Sequence, residues 1–345
     1  MNSKEAILYI HGSHCTVKNE AIDQLEKDLV NANSFADVSI VTETDISTSE
    51  TVKKVQLTYH DTKKVKEFYV FEVFWGDLKK SFSEERPLHR FFKSTMLISY
   101  WLFSGIWRAI FFTPKMALPL LGSMLLVLGW YLSLLLIFAD GLKNYLQDYQ
   151  QLVCFINSIT SWKSWIVWSV FTLLLTVFPT DRIISMAYFS RSYLQDSTLR
   201  SKIRERIITV MGKVGKDDRF DSIQILAHSF GSILATEFLS YNNLFPENKK
   251  IRVVTLGASL GFIINRARWI GEVLFQAQKN PNVQHWHDYF SYKDWLCSLT
   301  PKDPLSDSFE SIELNRKVPI GEQLSGHSHQ MYFSDEIVLK EILKQ

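Results

Sequence analysis

The run Ala117–Ala139, ALPLLGSMLLVLGWYLSLLLIFA, carries no charged residue over 23 positions. As an α-helix it would measure roughly 35 Å, enough to cross a hydrocarbon core. The later segment Trp162–Phe178, WKSWIVWSVFTLLLTVF, sits near the lower length limit for a crossing, but Lys163 can snorkel and Ile156 and Ile159 extend it upstream. The two segments read as a transmembrane hairpin with helices at about 117–139 and 157–178. Trp162, Trp165 and Trp168 suit an interfacial end. Ahead of them FFKSTMLISYWLFSGIWRAIFF, at about 91–112, is apolar but holds Lys93 and Arg108, as an interfacial helix would. A buried core hairpin in a soluble protein is the alternative. Lys93, Arg108, Lys115, Arg182 and Arg191 flank the pair, whereas the connecting loop offers little beyond Lys143 and Asp148. The positive-inside rule therefore turns both outer ends toward the cytoplasm.

The flanking sequence has soluble character. Ala6–Ile10 reads as a strand that turns at His11-Gly12-Ser13, and Glu20–Val30 as an amphipathic helix with Ile22, Leu25 and Leu29 on one face. Val38–Val41 and Val52–Tyr59 are weaker strand candidates, and Phe68–Trp75 is a nearly continuous apolar run that suits a strand covered on both faces. After the hairpin, Leu199, Ile203, Ile207 and Val210 form the apolar stripe of a helix whose basic face, with Arg200, Arg204 and Arg206, is expected to be solvated. Ser222–Ala227, Arg252–Leu256 and Val283–Phe290 return to strand character between helical stretches. The pattern implies an α/β fold with a mostly parallel sheet flanked by helices. A membrane insertion, 91–179, splits a soluble domain into 1–90 and 180–345.

With 38 basic and 36 acidic residues the chain has no strong overall field, so charge does not point to nucleic acid. Cys15, Cys154 and Cys297 lie far apart with no CxxC spacing, which argues against a disulfide framework or a zinc knuckle and fits a reducing compartment. The opening residues MNSKEAILYIHG lack the long apolar core of a secretory signal.

In DSIQILAHSFGSILATEF a strand breaks at Ser229 and a helix follows at Ser232–Tyr241. A serine there can be a mere helix cap. Yet Ala227 and Gly231, small residues two before and two after it, leave room for a sharp turn that lifts a hydroxyl above the sheet. The spacing resembles the G-x-S-x-G nucleophile elbow of α/β-hydrolases, with Ala227 at the first small position. Other parts follow in the order of that family. VQHWHDYFSYKDWL resembles the W-x-N-x-Y/F-x-x-x-D segment of lipase-like members, with Trp286 in register, Asp288 where Asn is usual and Asp294 at the acid position. VVTLGASLGFI resembles their TLGSPL strand end, and HSHQMYF their H-x-x-Y-F/W tail.

The chain thus resembles a lipase-like serine esterase with a membrane hairpin inserted ahead of the elbow strand. The resemblance implies a triad of Ser229, Asp294 and His329, with Asp303 and His327 as alternative acid and base. It implies an oxyanion hole from the backbone N–H groups of Ser13 and Phe230, with Gly12 and His11 shaping the loop. No cofactor or metal is called for. The partners implied are the bilayer and a lipid or other ester, with no nucleic acid, and the catalytic domain faces the cytoplasm. A deacylase of lipidated proteins, an acyltransferase, or a membrane scaffold with a degenerate hydrolase fold would share much of this pattern.

Overall fold

The computed structural model describes residues 4–30, 36–44, 51–79, 87–103, 106–142, 150–151, 153–154, 163–177, 180–241 and 249–343. One eight-stranded sheet runs in the order β2-β3-β4-β1-β5-β6-β7-β8. Its strands are β1 (Lys4–Ile10), β2 (Ala36–Thr44), β3 (Thr51–Tyr59), β4 (Val65–Glu72), β5 (Ser222–His228), β6 (Lys250–Leu256), β7 (Val283–Phe290) and β8 (Phe309–Glu313). The β2–β3 and β3–β4 pairs are antiparallel and all the others parallel. The protein is therefore α/β with a mostly parallel sheet. Its two halves meet where β1 lies beside β5, because after β1 the chain goes to the far edge at β2, returns inward through β3 and β4, and only later builds outward on the other side through β5 to β8. In open α/β sheets that reversal opens a crevice at the carboxyl ends of the strands.

Both faces of the sheet are covered. Along β1, Ala6, Leu8 and Ile10 enter one core while Ile7 and Tyr9 enter the other, so the period of two places apolar side chains on both sides. The second core is closed by α1 (Glu20–Leu29), which buries Ile22, Leu25 and Leu29, and by the last helix, α12 (Glu336–Ile342). The Phe68–Trp75 run is shared between β4 and a loop: pairing ends at Glu72, and Val73 continues it only through its N–H on the Tyr9 carbonyl.

The first core is closed by the intervening helices α2 (Pro87–Phe103), α3 (Ile106–Phe112), α4 (Pro114–Leu142), α5 (Lys163–Val177), α6 (Thr180–Gln195) and α7 (Ser197–Gly215). The expected interfacial helix at 91–112 is thus two helices, α2 and α3. Helix α4 spans 29 residues with a mean hydropathy of 2.2 in its apolar window, and is the one helix among the described residues long and apolar enough by itself to cross a membrane. Of the second expected crossing, Lys163–Val177 is helical, while 157–162 and 178 lie outside the described residues, as do Lys143 and Asp148. Helices α4 and α5 pack closely: Trp130 Nε1 donates to Thr172 Oγ1 at 3.0 Å, and any side chain at Gly129 would run into the Phe171 ring.

Helix α7 starts at an Asp196 cap that accepts from the Thr198 and Leu199 N–H groups at 2.9 and 3.0 Å. Its stripe of Ile203, Ile207 and Val210 is buried as its spacing requires. Its basic face is not simply solvated, which corrects the expectation from charge patterning. Arg206 pairs with Asp77, Arg200 lies over Trp269, and Arg204 pairs with buried Glu237 of α8 (Gly231–Leu239), which also accepts from the Tyr193 hydroxyl of α6. Glu237 thus ties three helices together behind β5. Glu237→Ala leaves the buried Tyr193 hydroxyl and the half-exposed Arg204 without an acceptor and should cost about 2 kcal/mol, read as a lower unfolding midpoint in detergent, whereas Glu237→Gln should cost less.

Candidate functional site

At the end of β5 the chain turns sharply into α8. Ser229 sits at φ 55°, in the left-handed region that non-glycine residues seldom occupy, and its N–H is held by the Leu256 carbonyl at 2.8 Å. The turn works only with a glycine at 231, because a Cβ there would enter the Ile10 carbonyl oxygen at the end of β1. Gly12 closes on the same turn from β1, since a Cβ on it would lie 3.0 Å from the Ser229 Cβ. Ser13, Ser229 and Phe230 line one narrow crevice of about 40 Å³. Among the described residues, neither the Ser13 nor the Phe230 backbone N–H has a hydrogen-bond partner. Two unused donors therefore border the serine at the crevice.

His11 organises the β1 loop from inside. Its fully buried ring stacks on Trp75 at 5.1 Å, its Nδ1 donates to the Gly12 carbonyl at 2.8 Å, and its own carbonyl accepts from Trp75 Nε1 at 3.2 Å. Burial lowers its pKa to about 4 and keeps the ring neutral.

Asp294, in the loop after β7, is buried and its carboxylate is saturated with donors. Oδ2 accepts from His329 Nδ1 at 2.7 Å and from the Tyr332 hydroxyl at 3.0 Å, and Oδ1 from the Leu296 N–H at 2.9 Å. Burial alone would raise this carboxyl, but the charge of a protonated His329 and these hydrogen bonds outweigh it and hold the group below its ordinary value. Because Nδ1 carries the proton donated to Asp294, Nε2 of neutral His329 presents a lone pair. That nitrogen is buried with no hydrogen-bond partner among the described residues. His329 packs against both neighbours of the elbow turn: its ring lies 4.9 Å from that of His228, and a Cβ on Gly257, at φ 59°, would press within 3.2 Å of it.

The sequence alternatives separate cleanly. His327 is exposed, and Asp294 bonds to His329. Asp303 pairs with Lys279 at 2.8 Å and accepts the Leu305 N–H at 2.8 Å, so it caps a turn away from either histidine. Asp288 is buried among neutral hydroxyls, accepting from Thr255 at 2.6 Å and Ser311 at 3.2 Å, and burial pushes its pKa up to about 6.

Two site residues were missed by sequence reasoning. His228, inside the elbow motif itself, is fully buried and donates Nε2–H to the His329 carbonyl at 2.9 Å, fixing the backbone of that residue. Burial, reinforced by the neighbouring histidines, holds its pKa well below the ordinary value, so it acts as a neutral donor. Tyr332 belonged to the tail pattern, but its hydroxyl on Asp294 could be found only from the packing.

No protein-family model, no curated protein and no solved structure matches this chain.

The neutral His11 makes stability depend on pH. The unfolded ring takes up a proton near its ordinary 6.5, whereas the folded ring resists protonation down to about 4. Its contribution is therefore complete above 6.5 and is lost as pH falls through that window, by at most about 3 kcal/mol. His11→Gln should flatten the slope of unfolding free energy between those values, measured by denaturant titration at a series of pH values. Gly231→Val should destabilise the protein by more than about 2 kcal/mol, because backbone atoms rather than a mobile side chain block the added carbons.

Proposed function

We propose that this protein is an α/β-hydrolase-type serine esterase anchored in a membrane, cleaving carboxylic esters of lipid character. The observation that carries the reading is the Asp294–His329 hydrogen bond of 2.7 Å beside the left-handed turn at Ser229, at the reversal point of the sheet. A serine, an oriented imidazole and a buried carboxylate in this chain order suit acyl transfer.

In the proposed reaction Ser229 Oγ attacks the ester carbonyl while His329 Nε2 takes its proton. Asp294 holds the ring in the required tautomer and stabilises the imidazolium. The N–H groups of Ser13 and Phe230 receive the developing oxyanion. His329 then returns the proton to the leaving alcohol, and water releases the acyl group by the same steps. His329 Nε2 makes no hydrogen bond to Ser229 here, and substrate is expected to draw the two together.

The lipid character comes from the crevice walls. Trp101, Met116, Leu120, Ile183 and Phe262 line it, and the first four come from helices of the membrane region or next to it. The anchor in this reading is the hairpin of α4 and a second crossing at 157–178, with the catalytic domain on the cytoplasmic side. The chain must return to the side it left for Ser13 and Ser229 to share one crevice.

Ser229→Ala should abolish labelling by a fluorophosphonate probe and lower hydrolysis of short acyl esters by roughly 10³-fold or more. Labelling that survives the substitution would overturn the proposal. Asp294→Asn should lower kcat by a comparable factor, because the imidazole loses its fixed tautomer.

A further inference from the structure

A second cavity, of about 490 Å³, opens beside the serine crevice and shares Met116 with it. Its lining includes two cations, Arg108 of α3 and Lys115 at the start of α4. The Arg108 guanidinium lies 5.6 Å from the Phe112 ring centre and Lys115 Nζ lies 3.7 Å from that of Tyr292; neither forms an ion pair among the described residues. Both stand in a largely apolar setting that includes Phe112, Met116, Ile264 and Phe290. Asp294 also contributes to the lining, but its oxygens already accept from His329, Tyr332 and Leu296. A concave apolar cavity with a few converging charges is the ordinary form of a ligand site.

The setting of Arg108 narrows the ligand. Helix α3 buries Ile106 and Ala109 and turns outward Trp107 at 58%, Phe111 at 83% and Phe112 at 68% exposure, with Phe103 of α2 at 88%. An outward aromatic surface around a cation suits the headgroup level of a bilayer. We infer that this cavity holds the phosphate headgroup of a lipid ester whose acyl carbonyl reaches Ser229. Arg108 and Lys115 contact the phosphate oxygens, and the apolar wall takes the neighbouring carbons. This deepens the esterase reading and rests on it for the link to catalysis: the substrate class is a phosphate-bearing acyl lipid, bridging two cavities that meet at Met116.

The test uses ligands without an ester, so that binding is read apart from turnover. The full chain in non-ionic detergent is titrated calorimetrically with 1-O-hexadecylglycerol 3-phosphate, with uncharged 1-O-hexadecylglycerol, and with glycerol 3-phosphate. The phosphate ether should bind about tenfold or more tightly than the uncharged ether, as charge-assisted hydrogen bonds would give. The double variant R108Q/K115Q, checked for an unchanged thermal transition, should bind both ethers alike. Equal binding of the two ethers by the wild type, or an undiminished preference in the variant, would overturn the inference. Glycerol 3-phosphate binding as tightly as the phosphate ether would overturn it too, by assigning the cations to a soluble phosphate ester. Fluorophosphonate labelling of the same preparation separates the two claims: a phosphate preference without labelling at Ser229 would sink the esterase reading and leave the headgroup site standing.

Discussion

The side-by-side pairing of β1 with β5 is the constraint on which the site depends. Glu5 lies opposite Ser222 and Ile10 opposite Ala227, so the strands end together although the whole antiparallel edge and helices α2 to α7 lie between them in the chain. Because they end together, the His11–Ser13 loop and the Ser229 turn emerge at the same level. The contact of Gly231 with the Ile10 carbonyl then fixes their spacing to atomic tolerance. The later strands bring the rest in register: β6 supplies the carbonyl that holds the Ser229 N–H, and the loop after β7 supplies Asp294.

Two carboxylates close together in sequence show how surroundings set chemical character. Asp288 ends among hydroxyls and is pushed toward neutrality, whereas Asp294, equally buried, is held ionised by an imidazole and a set of donors. Burial is common to both and so decides nothing; the imidazole and the further donors on Asp294 do. The same logic separates the histidines. His11 and His228 are buried without a carboxylate and remain neutral, serving as hydrogen-bond donors to carbonyl oxygens. His329 faces a carboxylate on one nitrogen and leaves the other open.

Most strands were legible because apolar runs of five to eight residues with β-branched centres mark them: β5 and β7 begin where their patterns begin. Strand β8 was not, since FESIE buries little more than Phe309 and carries two glutamates. Helix α6 was also overlooked, because its mixed face packs on α2, α4 and α7 rather than on the sheet and so lacks a clear apolar stripe. In the site, local spacing picked out Ser229, Gly231 and Gly12. The register on Trp286 pointed to Asp294 and the H-x-x-Y-F/W tail to His329, but the bond between the two depends on which side chains the loops turn inward. Spacing does not encode that.

Helix α4 has its first turns at the crevice and exposed apolar residues along its later turns. Met116 and Leu120 border the serine, while Leu125, Leu132, Leu135 and Phe138 are turned outward along the same axis. Pro119 stands between the two crevice residues and removes one backbone rung at that point, so bending is easiest there. The helix is thus a lever with its pivot at the substrate wall. Swinging its long arm by about 5° moves the far end by roughly 2–3 Å, and counter-rotation at the pivot changes the width of the crevice by a fraction of that. A load on the outer arm would therefore be felt at the wall of the crevice beside Ser229.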